Sequence, residues 1–193
     1  QGPSTRMLLG GWLNSDAAPC GTGNVHAICY SNAELNRLAA EAVAPHVQHD
    51  DAVAPAPERA HAAGMKVWGL VGLPRQARRQ IEAGVDVVIA QGSDSGGHSG
   101  TVGTFTLVPE VVAMAEGTKT LVLCGGGVSG GRHLAAAIAM GAAGVWTGTV
   151  WLATHESETE MFLKQRLVDS QAEDAIQSRA MSGKPIRQLR SKW

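Results

Sequence analysis

Pro74-Arg75-Gln76-Ala77-Arg78-Arg79-Gln80-Ile81-Glu82-Ala83-Gly84-Val85-Asp86-Val87-Val88-Ile89-Ala90 holds a helix, a stop and a strand in direct succession. Pro74 opens the helix, because the N–H that proline lacks has no acceptor in a first helical turn anyway. Gly84 ends it, and Val85–Ala90 follows as a strand apolar enough to be buried on both faces. Such a strand belongs to a parallel sheet covered by helices. The same unit recurs on either side. Met65 to Val71 reads as a preceding strand. A helix near Val108 to Ala115 leads into Thr120-Leu121-Val122-Leu123, and a helix from about Gly131 to Met140 leads into Gly144-Val145-Trp146. Three such crossovers in a row predict α/β architecture of the (β/α)8 TIM-barrel type, with the second half of the barrel the legible part.

Outside this region the pattern thins. Ser157-x-x-Glu160 has the form of a capping box opening a helix whose apolar residues Met161, Phe162, Leu167 and Val168 lie roughly on one side, outside the sheet. Ser31-x-x-Glu34 offers a similar start for a helix to about Ala44, and Val53 to Pro57 reads as linker or loop. No strand is assigned in the first 60 residues. A full barrel takes about 250 residues, so 193 residues with four legible strands read as one incomplete barrel domain, 1–193. The chain starts at Gln1 and ends at Trp193 after a basic segment, Arg187 to Lys192, as a piece of a longer product would. A half barrel standing alone would expose two sheet edges unless two copies closed on one another as a homodimer.

Composition narrows the partners. Hydrophobic residues make up 44% of the chain and the formal net charge is −1, with no run of Lys or Arg. This gives no pull toward nucleic acid or anionic membrane and favours a small neutral or singly charged ligand. No apolar stretch reaches the roughly 20 residues of a membrane span, and the three cysteines, Cys20, Cys29 and Cys124, fit neither a zinc pattern nor a disulfide framework. The expected setting is a reducing cytoplasm.

Three segments carry chemistry. The first, Gln91-Gly92-Ser93-Asp94-Ser95-Gly96-Gly97-His98-Ser99-Gly100, follows the buried strand and falls at its carboxyl end, the edge where α/β folds bind ligands. Its four glycines let backbone approach a flat ligand, and His98 is its one side chain able to exchange a proton near neutral pH. The second, Cys124-Gly125-Gly126-Gly127-Val128-Ser129-Gly130-Gly131-Arg132, joins a strand to a helix start, so that backbone amides and the helix dipole converge on one anion. No Gly-Lys-Ser/Thr follows and no acidic residue closes the next strand at the dinucleotide spacing, which leaves a single phosphate. The third, Trp146-Thr147-Gly148-Thr149, ends the next strand and can add amides and a hydroxyl to the same phosphate. Trp12, Trp68 and Trp151 read as packing groups, and the remaining histidines form no metal spacing.

Ala90 to Gly100 with Thr101-Val102-Gly103-Thr104, the Gly-Gly-Val-x-x-Gly-Arg stretch and the Gly148-Thr149 pair together resemble the nitronate monooxygenases, formerly called 2-nitropropane dioxygenases. The resemblance covers residues 58–156. It implies an FMN cofactor contacted by Gln91, Gly96 and Gly97 and held at its phosphate by Gly126, Gly127, Trp146, Thr147, Gly148 and Thr149. It implies His98 as the base that takes a proton from carbon, an alkyl nitronate or nitroalkane as substrate, and O₂ as oxidant. Val150 stands where the family often carries arginine after the Gly-Thr pair. FMN-dependent enoyl reductases using NAD(P)H share a similar Gly-Gly-His-x-Gly loop and are the rival enzyme. The rival of another class is a flavin- or phosphate-binding protein without catalysis.

Overall fold

A computed structural model describes residues 8–9, 56–62 and 64–190. Five parallel strands form its main sheet: β1 (Leu8–Leu9), β2 (Trp68–Val71), β3 (Val87–Gln91), and, after a two-residue strand β4 (Gly97–His98) that lies outside this sheet, β5 (Leu121–Gly125) and β6 (Gly144–Thr147). Their spatial order is β1-β6-β5-β3-β2, each pair parallel. From β2 to β6 the successive strands of this sheet therefore lie side by side, the arrangement of a (β/α) barrel wall, and β1 adds to the far edge through Leu8↔Trp146 and Leu9↔Thr147. The helices are α1 (Ala56–Ala62), α2 (Pro74–Glu82), α3 (Thr104–Ala115), α4 (Gly131–Ala139), the single turn α5 (Thr149–Leu152) and α6 (Met161–Asp169). Among the described residues no helix is long and apolar enough to cross a membrane.

Strand alternation divides the core in two. Val88 and Ala90 of β3, Val122 and Cys124 of β5 and Val145 of β6 face the helices, where they meet Ala77, Leu107, Val108, Val111 and Ala137. Val87, Ile89 and Leu123 form the opposite face together with Trp146. There Trp68 and Trp146 meet edge to face with ring centroids 6.1 Å apart. Their strands are three positions apart, about 14 Å on a flat sheet, so the sheet curls with this face concave. Buried on both sides, β3 has no polar alternation to show, which is why its sequence reads as a continuous apolar run.

Local chemistry sets the element ends. Pro74 occupies the first turn of α2, and the chain leaves that helix through Gly84 at φ +81°, a backbone region that favours glycine. Two helices start differently from the sequence expectation. Helix α3 begins at Thr104 rather than near Val108, because the Asp94 carboxylate accepts the Thr104 N–H at 3.0 Å and caps the helix one turn before Pro109. Helix α6 begins after Glu160, while the Ser157 hydroxyl bonds Thr159 instead of capping a helix. Its Met161, Phe162 and Val168 are exposed. Of the linker-like segment, Ala56 and Pro57 lie in α1; the helix read from Ser31 lies outside the described residues.

Asp86, one residue ahead of β3, ties the lower ends of the elements together. Its carboxylate accepts the Val67 N–H at 2.9 Å and pairs with Lys66 at 2.6 Å and His61 at 2.8 Å. Partial burial alone would raise its pKa, but the donors from Lys66, Val67 and His61 outweigh that and hold it at about 2. A carboxyl depressed below its ordinary 3.8 contributes stability above that value and loses it as pH falls toward 2. Allowing for solvent screening of the exposed Lys66, Asp86→Asn is expected to cost about 1–2 kcal/mol at pH 7. Urea unfolding between about pH 4 and pH 2 should show a shallower decline for the variant than for the wild type; equal slopes would show that the cluster contributes nothing.

Candidate functional site

Gln91 and Gly125 end β3 and β5, and Trp146 stands one residue before the end of β6; Gln91 lies opposite Gly125 and Gly125 opposite Trp146, so all three face the concave side near the carboxyl edge. Gly125 leaves a gap between two larger neighbours, where an added Cβ would stand 3.2 Å from the Ile89 methyl. A shelf bounded by an amide and an indole suits the edge and face of a flat ring system.

Above this shelf the three predicted segments meet. The loop after β3 is pinned by Gly92 N–H to Gly125 O at 3.0 Å, Ser93 N–H to Val102 O at 2.8 Å and Ser95 N–H to Gly92 O at 3.1 Å. Gly126 turns at φ +106°, and a Cβ there would meet the Ser95 hydroxyl at 2.5 Å and the Thr104 hydroxyl at 2.8 Å. A Cβ on Gly127 would stand 3.3 Å from the Asp94 Cβ, and one on Gly96 would meet the Thr149 hydroxyl at 2.5 Å. Ser95 and Thr104 are both buried; among the described residues the Ser95 hydroxyl has no hydrogen-bond partner, while the Thr104 side chain lies against the Asp94 carboxylate. An unpartnered buried hydroxyl is costly unless something satisfies it, and here both hydroxyls underlie a glycine turn leading into α4. The Thr147 hydroxyl accepts from Trp151 Nε1 at 2.9 Å, which leaves its own O–H free to donate. Thr149 and Gly148 are exposed beside it, as is Gly127. The Ser129 N–H is directed to His133 Nδ1 at 3.3 Å, so the open amides of the cradle are those of the turn and the first residues of α4.

His98 lies on a strand where the sequence predicts a loop. Strand β4 pairs antiparallel with β8 (Ile186–Leu189), which pairs in turn with β7 (Ala175–Ser178), giving a second sheet of order β4-β8-β7. The His98 ring is exposed and its Nε2 stands 2.7 Å from the Ser182 hydroxyl, in the turn joining β7 to β8. Nothing in the sequence marks Ser182, Gln177 or Arg187 as site residues; the basic segment that begins at Arg187 overlaps β8. Ser95, Thr104 and Asp94 lie within or beside the motifs, but only the fold shows that two hydroxyls close under Gly126 while the carboxylate caps α3. Thr104 holds the Asp94 carboxyl below its usual range, helped by the Arg187 charge. Burial drives the Cys124 thiol up to about 11, which makes it a packing group rather than a nucleophile.

Residues 31–193 match the nitronate monooxygenase family model. Among curated proteins, the chain is 47% identical over 136 residues to "Putative monooxygenase Rv1533" of Mycobacterium tuberculosis, a match covering 70% of this chain and 36% of that protein. Among solved structures it is similar to FabK from Thermotoga maritima, with 36% identity and a TM-score of 0.65 over 71% of this chain and 43% of the other. It is also similar to the nitroalkane oxidase of Streptomyces ansochromogenes, with 30% identity and a TM-score of 0.63 over 71% and 42%. The chain thus spans about two fifths of the length of the relatives it matches.

Proposed function

We propose, from the premise that the chain belongs to the nitronate monooxygenase family of oxidoreductases, that it contributes the FMN phosphate site and the catalytic base of an enzyme oxidising nitroalkanes and their nitronates with O₂. The observation that carries this reading is the convergence of the His98 loop, the Gly125–Gly127 turn and Thr149 at one edge of the sheet. The residues fit the cofactor. Gly126 and Gly127 let the turn pack closely on the Ser93–Ser95 loop, the turn and the first residues of α4 offer backbone amides to a phosphate, the Thr149 hydroxyl stands at Gly96, and Gln91, Gly125 and Trp146 form a shelf below a flat ring. Gly96 and Gly97 let the loop backbone lie close to that ring. FMN, when bound, supplies the electron and oxygen chemistry that side chains lack.

The rest of the work falls to the protein. In the tautomer with Nε2–H donating to Ser182, which this role requires, the other ring nitrogen of His98 keeps its lone pair and can take the α-proton of a nitroalkane. Ser182 fixes the ring plane through the transfer and accepts from the imidazolium afterwards. A second reading, an FMN-dependent enoyl reductase using NAD(P)H, draws on the Gly96-Gly97-His98-Ser99-Gly100 loop. The test is a visible spectrum of the purified protein before and after denaturation, then oxygen uptake with nitroethane. Oxidised-flavin bands released on unfolding, with uptake that needs no nicotinamide, are expected. Absence of flavin after incubation with excess FMN would overturn the cofactor assignment, and rapid reduction by NADPH would favour the second reading.

A further inference from the structure

His98 sits in the worst place to hold a base still. Glycines precede it at 96 and 97 and follow it at 100, and its strand is two residues long with one neighbour, β8. Backbone of this kind is ordered only by what grips it from outside. Two side chains of the β7–β8 hairpin do so. Arg187, opposite Gly97 in the β4–β8 register and opposite Gln177 in the β7–β8 register, donates from Nε to Ser93 O at 2.9 Å and from a terminal nitrogen to Ala175 O at 3.5 Å. Gln177 donates to the Ser99 hydroxyl at 3.0 Å and to Gly100 O at 3.2 Å. One grips the loop ahead of His98 and the other behind it, and Ser99 N–H to Pro185 O at 3.2 Å adds a backbone tie. Beside Ser93, the Asp94 carboxylate faces the Arg187 charge while it caps α3. The guanidinium therefore joins three parts: the origin of the base loop, the first residue of β7 and, through Asp94, the start of α3.

We propose that Arg187 is a positioning residue for His98, its guanidinium fork fixing the loop from Ser93 to Gly100 against the C-terminal hairpin so that the imidazole is presented in one pose. The assignment rests on the reading of His98 as the base. Lysine would keep the charge toward Asp94 but not the planar fork that spans two carbonyls, and a displacement of about 1 Å is enough to slow an oriented proton transfer about 100-fold.

The test uses the flavin-loaded full-length protein with Arg187→Met and Arg187→Lys. Both variants are expected to lose about 10- to 100-fold in turnover of neutral nitroethane, whereas turnover of preformed ethyl nitronate, which needs no proton removed, changes less than about threefold. A general loss of folded protein would lower both substrates together. Amide hydrogen exchange supplies a readout independent of activity: Gly97 and Ser99 should exchange at least about tenfold faster in Arg187→Met, while the amides of β3 and β5 keep their protection. Equal loss on both substrates, or unchanged exchange at Gly97 and Ser99, overturns the proposal. If the wild type turns over neither substrate but exchange rises at those amides alone, the grip on the loop stands and the reading of His98 as a base falls.

Discussion

His98→Ala should abolish turnover of neutral nitroalkane while sparing the preformed nitronate. A positioned general base accounts for about 10²- to 10⁴-fold in rate, and a loss of that size in oxygen uptake with nitroethane is expected at neutral pH. The nitronate is already deprotonated, so the step that His98 serves is complete before it binds, and its turnover should fall less than about tenfold. Flavin content should be unchanged, because the ring is exposed and, among the described residues, its hydrogen bond runs to Ser182 of the β7–β8 turn. The ratio of the two rates decides the matter. Parallel loss on both substrates would mean that His98 holds the loop or the ligand rather than the proton, and no loss on either would remove it from the chemistry.

The second large effect is expected at Gly126. An alanine there would adopt φ +106°, which L residues rarely take, and would drive its methyl to 2.5 Å from the Ser95 hydroxyl, 2.8 Å from the Thr104 hydroxyl and 3.0 Å from the Ser95 amide nitrogen. The Ser95 backbone cannot yield without moving the loop that carries His98. Backbone strain and overpacking together are expected to cost about 2–4 kcal/mol. Gly126→Ala should therefore lower the urea midpoint and purify with little or no flavin, even under conditions that saturate the wild type. Retention of full flavin content by a stable variant would show that the turn relaxes freely and that the cradle lies elsewhere. Gly103, where an added Cβ meets nothing within 4 Å, is the matched control.

What could be read from sequence follows from where the physical signal lies. Strands β3, β5 and β6 announce themselves because burial on both faces leaves apolar runs, and the helices between them end in glycines placed just before the next strand. The β7–β8 hairpin was invisible for the opposite reason. Ala175-Ile176-Gln177-Ser178 and Ile186-Arg187-Gln188-Leu189 are short and mixed in polarity, and β8 takes its place partly through β4, about 90 residues earlier in the chain. Strand β4 is still harder, since Gly97-His98 carries no strand pattern and is paired in register with Arg187 and Ile186, far away in the chain. At the site, the glycine segments and His98 were legible as motifs. Ser182 was not, because a serine 84 residues away from its histidine leaves no trace in spacing. The start of α3 lies at Thr104 rather than near Val108, because Asp94 caps the helix from ten residues upstream, a contact that leaves no mark in local periodicity.

The hairpin also sets an order in time. Synthesis runs from the amino end, so β2 through β6 and the glycine turn can assemble on the growing chain before residues 175–189 leave the ribosome. During that interval the loop of His98 has no β8 to pair with and no Ser182 to orient the ring. A nascent molecule can thus hold the glycine turn in place while the His98 ring still lacks Ser182, and the proposed base is set only once residues 175–189 have been added.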